Sequence, residues 1–137
     1  MNRFFTILVI TIVLAGCHST VNTTSPAENR AGPTVIKDKR IITDGSLVDK
    51  AGVVDVRETT VAGDLLKVQV QMYNSTSSLK SVNYRFEWFD SDGMRIETVL
   101  SRWKPKMLYG KETVWVSAVA PTPKTVDFRF KLMEAKD

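Results

Sequence analysis

From about residue 53 the chain alternates. Val54 and Val56 alternate with Asp55 and Arg57. Leu66, Val68, Val70 and Met72 alternate with Lys67, Gln69 and Gln71. Val82, Tyr84, Phe86 and Trp88 alternate with Asn83, Arg85 and Glu87, and Val126, Phe128, Phe130 and Leu132 with Asp127, Arg129 and Lys131. Period two is the mark of strands with one face buried. Punctuation lies between the runs: Ala62-Gly63-Asp64, the polar Asn74 to Ser78, and Asp90-Ser91-Asp92-Gly93. The last predicts a hairpin turn in which Gly93 takes a positive φ and an aspartate bonds its own backbone. Met94, Ile96, Thr98 and Leu100 continue one face beyond it. Trp103 to Lys111 reads as a connecting loop. Thr113 to Ala120 is nearly apolar, which predicts a central strand covered on both faces, and Pro121 and Pro123 stop it.

No segment keeps a 3.6-residue period over three turns, and no internal repeat is present. Short strands spaced about ten residues apart predict an all-β fold, an antiparallel immunoglobulin-like β-sandwich of about seven short strands. Its expected core is aromatic: Tyr84, Phe86, Trp88, Trp115, Phe128 and Phe130. Only the architecture is implied, because the immunoglobulin cysteine pair is missing. Val35 to Ile42 reads either as a first strand or as a solvated tether. Asp44-Gly45-Ser46 marks a turn, with a short helical turn over Gly45 to Lys50.

The N-terminus is patterned differently. A charged start, Met1-Asn2-Arg3, precedes an apolar run from Phe4 to Val13 and then Leu14-Ala15-Gly16. This is the layout of a secretory signal peptide, and the run is short of the ~20 residues that span a bilayer. Leu14-Ala15-Gly16-Cys17 resembles the bacterial lipobox. That resemblance implies cleavage before Cys17 and lipid on its thiol, with several acyl chains to hold it. His18 rather than Asp after the cysteine implies the outer membrane, with the protein on its periplasmic face. His18 to Thr34 is rich in Ser, Thr, Asn and Pro and reads as a flexible tether. The expected organisation is signal peptide 1–16, lipidated cysteine and tether 17–34, and sandwich domain 35–137.

Composition narrows the function. The 137 residues are 43% hydrophobic and 25% charged, ordinary for one globular domain. The formal net charge of +4 is a mild excess, and acids interrupt most basic runs, so nucleic acid is not an expected partner. There is one cysteine and one histidine. Those counts exclude an intramolecular disulfide, a Cys/His zinc cluster and a Cys–His nucleophilic pair within the domain. No metal and no cofactor is expected.

The lipobox, the polar tether and the run Val82-Asn83-Tyr84-Arg85-Phe86-Glu87-Trp88-Phe89-Asp90-Ser91-Asp92-Gly93 together resemble the YcfL family of periplasmic lipoproteins. The likeness spans roughly residues 50 to 134. It implies a compact β-sandwich and supplies no catalytic or ligand residues.

Three constellations point weakly to chemistry. The aromatic hairpin resembles a stacking platform, but its strict alternation assigns Tyr84, Phe86 and Trp88 to the core and leaves Phe89 out of phase. Asp90, Asp92 and Gly93 fall short of the six oxygen ligands of a calcium loop. Asp64, Glu87, Asp92, Glu97 and Glu112 sit at turns or on polar strand faces, not in the apolar pocket that raises an acid's pKa for glycosidic chemistry. An enzyme is therefore not expected.

The segment Arg102, Trp103, Lys104, Lys106, Met107 and Tyr109 is the candidate partner contact. It combines basic residues with the Trp and Tyr that anchor interfaces. The competing reading tucks Trp103 and Leu108 under the sandwich. The function expected is a non-catalytic accessory module held by its lipid at the membrane, contacting an envelope protein or peptidoglycan. The alternative is a glycan- or small-molecule-binding lipoprotein using the same loop.

Overall fold

The computed structural model describes residues 33–136, so the signal peptide, Cys17 and most of the tether lie outside the described residues. Eight strands follow in order: β1 Ile41–Thr43, β2 Ala51–Val61, β3 Leu65–Asn74, β4 Lys80–Phe89, β5 Arg95–Ile96, β6 Lys104–Leu108, β7 Thr113–Val119 and β8 Asp127–Glu134. One 3₁₀ turn, Gly45–Leu47, is capped by the Asp44 carboxylate, which accepts from Ser46 N at 2.9 Å. The all-β fold expected from the pattern is present as two sheets.

The first sheet runs β1-β8-β4, and β4 then carries β6 along one part of its length and β5 along another. The second runs β2-β3-β7. Val68, Val70, Met72 and Val116 from the second sheet meet Val82, Phe86, Trp88, Phe128, Phe130 and Leu132 from the first in one buried cluster. Burying such side chains contributes roughly 1.5–3 kcal/mol each. The aromatics interlock: Phe86 and Phe130 are edge-on at 5.0 Å, and Phe86 stacks on Trp88 at 5.8 Å.

Turn chemistry is as the residues dictate. Gly63 and Asp64 take φ of 78° and 57° to close β2 onto β3. Gly93 takes 75°. The Asp90 carboxylate accepts from Asp92 N at 3.0 Å and Met94 N at 2.9 Å, so it organises the turn.

Five expectations are corrected. The segment 103–111 is not a loop: Lys104–Leu108 forms β6, antiparallel to β4. Thr113–Val119 is not central: among the described residues β7 pairs with β3 alone and forms the edge of its sheet. Trp115 is accordingly 38% exposed and outside the core. The strand expected through Met94, Ile96, Thr98 and Leu100 shrinks to Arg95–Ile96, with Met94 and Leu100 exposed. A register shift between Val53 and Asp55 makes Val54 a bulge, so Val53, not Val54, is buried opposite Met72. The two readings left open for Val35 to Ile42 divide the segment: only its end, Ile41 and Ile42, enters a strand, and β1 lies parallel to β8, which makes the first sheet mixed.

Arg40 clips the layers together just before β1. Its guanidinium lies 2.9 Å from Asp38, 2.5 Å from Glu58 on β2 and 3.8 Å from Asp127 on β8, and 4.6 Å from the Phe128 ring centre. The side-chain bond from Arg40 holds the Asp38 carboxyl below the usual carboxylate range. A lowered folded-state pKa stabilises above the unfolded pKa of about 3.9 and is lost as pH falls through the folded value. The pair is partly solvent-screened, so Asp38→Asn is expected to cost about 0.5 kcal/mol at pH 7. Urea midpoints of the two proteins should converge as acidification protonates Asp38 in the folded state.

Candidate functional site

Strand β4 has two chemically different faces. Val82, Phe86 and Trp88 enter the core, while Asn83, Arg85 and Glu87 turn outward. The register of the first sheet places Met133, Lys131 and Arg129 of β8 beside those three residues. It also places Pro105 and Met107 of β6 beside Asn83 and Ser81, and Ile42 of β1 beside Lys131. The outer face of this sheet is thus a patch of basic and apolar side chains.

Glu87 lies at its centre and is 2% exposed, although it points away from the core. It is covered by its own counter-ions. Arg85 Nη2 approaches its carboxylate at 2.5 Å, Lys131 Nζ at 3.1 Å and Arg95 Nη1 at 3.8 Å. Arg95 also holds Glu97 at 2.5 Å. A buried carboxylate is tolerated only when paired in this way. Glu87 thus lies on the polar face of β4 beside basic neighbours, as the alternation predicts, and three cations roof it.

Two further arginine contacts shape the patch. The Arg85 guanidinium lies 4.7 Å from the Trp103 ring centre, and Arg129 lies 5.0 Å from that of Phe89. Trp103 is 39% exposed and Met107 51% exposed. Arginine forks fixed from below, with an aromatic and a thioether beside them, suit the recognition of carboxylate or phosphate groups on a partner surface.

The six residues expected to form one contact are divided by the strand. Trp103 and Met107 join the outer face. Lys104 and Lys106 share the register of Tyr84 and Val82, so they leave from the opposite side of β6 at the rim of the sandwich. Leu108 is fully buried. Tyr109 stands exposed past the strand end, with its N–H donating to the Glu112 carboxylate at 2.8 Å. Arg102 is exposed and donates to Val99 O at 3.1 Å. Arg85, Arg95, Arg129 and Lys131 complete the patch and were not singled out from the sequence. The signal for β6 was present: Pro105 between Lys104 and Lys106 is how a sheet edge is protected.

A cleft of about 420 Å³ lies elsewhere, where Val35 packs against Gly52 at the start of β2, with Val48 and Tyr73 also in its walls. No residue of 102–111 lines it. Among the described residues no group of three or more His, Cys, Asp or Glu is placed to hold a metal ion, and no helix is long and apolar enough to cross a membrane.

A family model described as a protein of unknown function, DUF1425, matches residues 39–134. No curated protein matches the chain. A crystal structure of a DUF1425 family member from Shewanella sp. pv-4 is 25% identical, with a TM-score of 0.58 over 64% of this chain and 80% of that one. The crystal structure of Campylobacter jejuni cj0090 is 19% identical, with a TM-score of 0.60 over 72% of this chain and 100% of that one. The second likeness is one of fold alone.

Proposed function

The chain belongs to the DUF1425 family of proteins of unknown function, and on that premise we propose that it is a non-catalytic interaction module, carried by lipid on Cys17 at the periplasmic face of the outer membrane. Within the family it is a lipoprotein of the YcfL kind. Its sandwich presents the outer face of the first sheet to an acidic partner in the envelope, either a protein or the carboxylates of peptidoglycan.

One observation carries the reading: Arg85, Arg95 and Lys131 are fixed on the buried carboxylate of Glu87 beside exposed Trp103 and Met107. Prepaid ordering of long side chains lowers the entropic cost of binding. The leader pattern and Cys17 support the anchor. The lipid and tether then raise the local concentration of the domain near membrane and wall. The acids also support a non-catalytic role: Glu87 and Glu97 are ion-paired, and Glu112 accepts a backbone N–H.

Photo-crosslinking in living cells tests the proposal, with the probe at Met107 and, as a control on the other sheet, at Thr59. A single dominant protein adduct, or a peptidoglycan adduct, is expected from Met107 and not from Thr59. Trp103→Ala is expected to weaken capture roughly tenfold. Equal labelling from both positions, or capture that survives Trp103→Ala undiminished, overturns the reading.

A further inference from the structure

Both edges of the first sheet are blunted. β1 has 3 residues, β5 has 2, and β6 carries Pro105 between two lysines. In the second sheet, the β2 edge is bulged at Val54, charged at Asp55, Arg57 and Glu58, and covered at its start by Ile36, whose N–H donates to Val53 O at 2.9 Å. Strand β7 has none of these devices. From Thr113 to Pro123 the chain carries no charge.

Its backbone is open in a defined way. Ala120 N donates to Leu66 O at 2.7 Å, and Asn74 N to Glu112 O at 3.0 Å. With the antiparallel register, these bonds fix the alternation: Val114, Val116 and Ala118 bond to β3. Thr113, Trp115, Ser117 and Val119 therefore aim N–H and C=O outward, and no strand pairs with them among the described residues.

We infer that β7 is the seam of a homodimer, in which the edge strands of two copies pair antiparallel about a two-fold axis at Val116. That register makes Trp115–Ser117 and Thr113–Val119 the hydrogen-bonded pairs. Val114–Ala118 and Val116–Val116 become the close non-hydrogen-bonded pairs on the core side. A second copy fits because the strand is self-complementary. No like charges oppose, and a β-branched residue or small side chain lies across from each large one. The pairing also reconciles the near-apolar sequence of a central strand with its position at the edge, since β7 becomes central in the joined sheet. Trp115 and Val119, 38% and 37% exposed, then lie beside the seam. Isologous two-fold contacts of this kind are the commonest in homo-oligomers.

The test uses the full chain in detergent micelles. Sedimentation equilibrium is expected to show a monomer–dimer equilibrium. Ser117→Pro removes an N–H that β3 does not use, so the far-UV circular dichroism spectrum should be unchanged while the dissociation constant rises at least tenfold, roughly. Hydrogen exchange on the unaltered protein gives an independent readout. The amides of Trp115, Ser117 and Val119 should be slow at high concentration and fast on dilution. A protein that stays monomeric up to millimolar concentration overturns the inference, as does a dimer indifferent to Ser117→Pro. Protection of these amides that appears only on adding another envelope protein assigns the edge to a different chain and overturns it equally.

Discussion

Phe130→Ala is expected to destabilise the domain by about 3–5 kcal/mol. The ring is fully buried, edge-on to Phe86 at 5.0 Å and stacked on Tyr84 at 5.8 Å, on the strand between β1 and β4. Its removal costs the transfer term and leaves a cavity between two sheets that cannot easily close, because each is held by its own ladder. Domains of this size are stable by roughly 5–15 kcal/mol, so the variant should show a large fall in urea midpoint and expose core side chains to dye. Trp115→Ala is the matched contrast. Its ring is half-exposed and lies 4.7 Å from the Arg57 guanidinium, and its loss should cost about 1 kcal/mol or less. Comparable losses for the two would mean that Trp115 is core after all.

The second large effect is expected at Asn74, a fully buried polar residue at the end of β3. Its amide nitrogen donates to the carbonyls of Ser78 at 2.8 Å, Leu108 at 3.0 Å and Tyr109 at 3.0 Å. Its oxygen accepts from Thr76 N at 3.0 Å and Thr76 Oγ1 at 2.8 Å. One side chain thus ties β3, the turn after it and the end of β6. Asn74→Ala leaves these groups without partners away from water, at a cost of about 3 kcal/mol. Asn74→Asp is nearly the same shape but offers no donor to the three carbonyls when ionised. It should destabilise at least as much at pH 7 and recover in part on acidification, because the protonated acid regains one O–H donor and its pKa is raised among carbonyls. Urea titrations at neutral and mildly acidic pH read both effects. An Asn74→Asp protein as stable as the parent at pH 7 would show that the network is solvated.

Asn74 also shows where reading residues in order runs short. In sequence it opens a polar run, Asn74 to Ser78, whose composition is that of any solvated loop. Only the arrival of Leu108 and Tyr109 makes it a hub, and those residues are far along the chain. Glu87 is similar. Alternation correctly placed it opposite Phe86 and Trp88, outside the core. Its burial under Arg85, Arg95 and Lys131 depends on strands β5 and β8 lying against β4, which local pattern does not encode. Trp103 and Met107 were singled out as contact residues and do lie on the candidate face. Lys104 and Lys106 were grouped with them because a loop was expected, and a strand sends alternate residues to opposite sides.

Features that depend on neighbours in the chain are legible in the residues alone. The period-two runs of β3, β4 and β8 specify which side chains are buried, because a strand that slips by one residue turns its whole apolar set to water. Gly93 and the Asp90 carboxylate specify their turn, because the backbone geometry there needs those residues. The all-β class follows from both. The tertiary structure alone decided strand order: β7 at an edge despite an interior composition, β6 in place of a loop, β1 parallel to β8, and a bulge that shifts the phase at Val54. Each rests on pairing between distant segments. Backbone hydrogen bonds carry no sequence label, so the choice falls to how the two sheets close over a shared core.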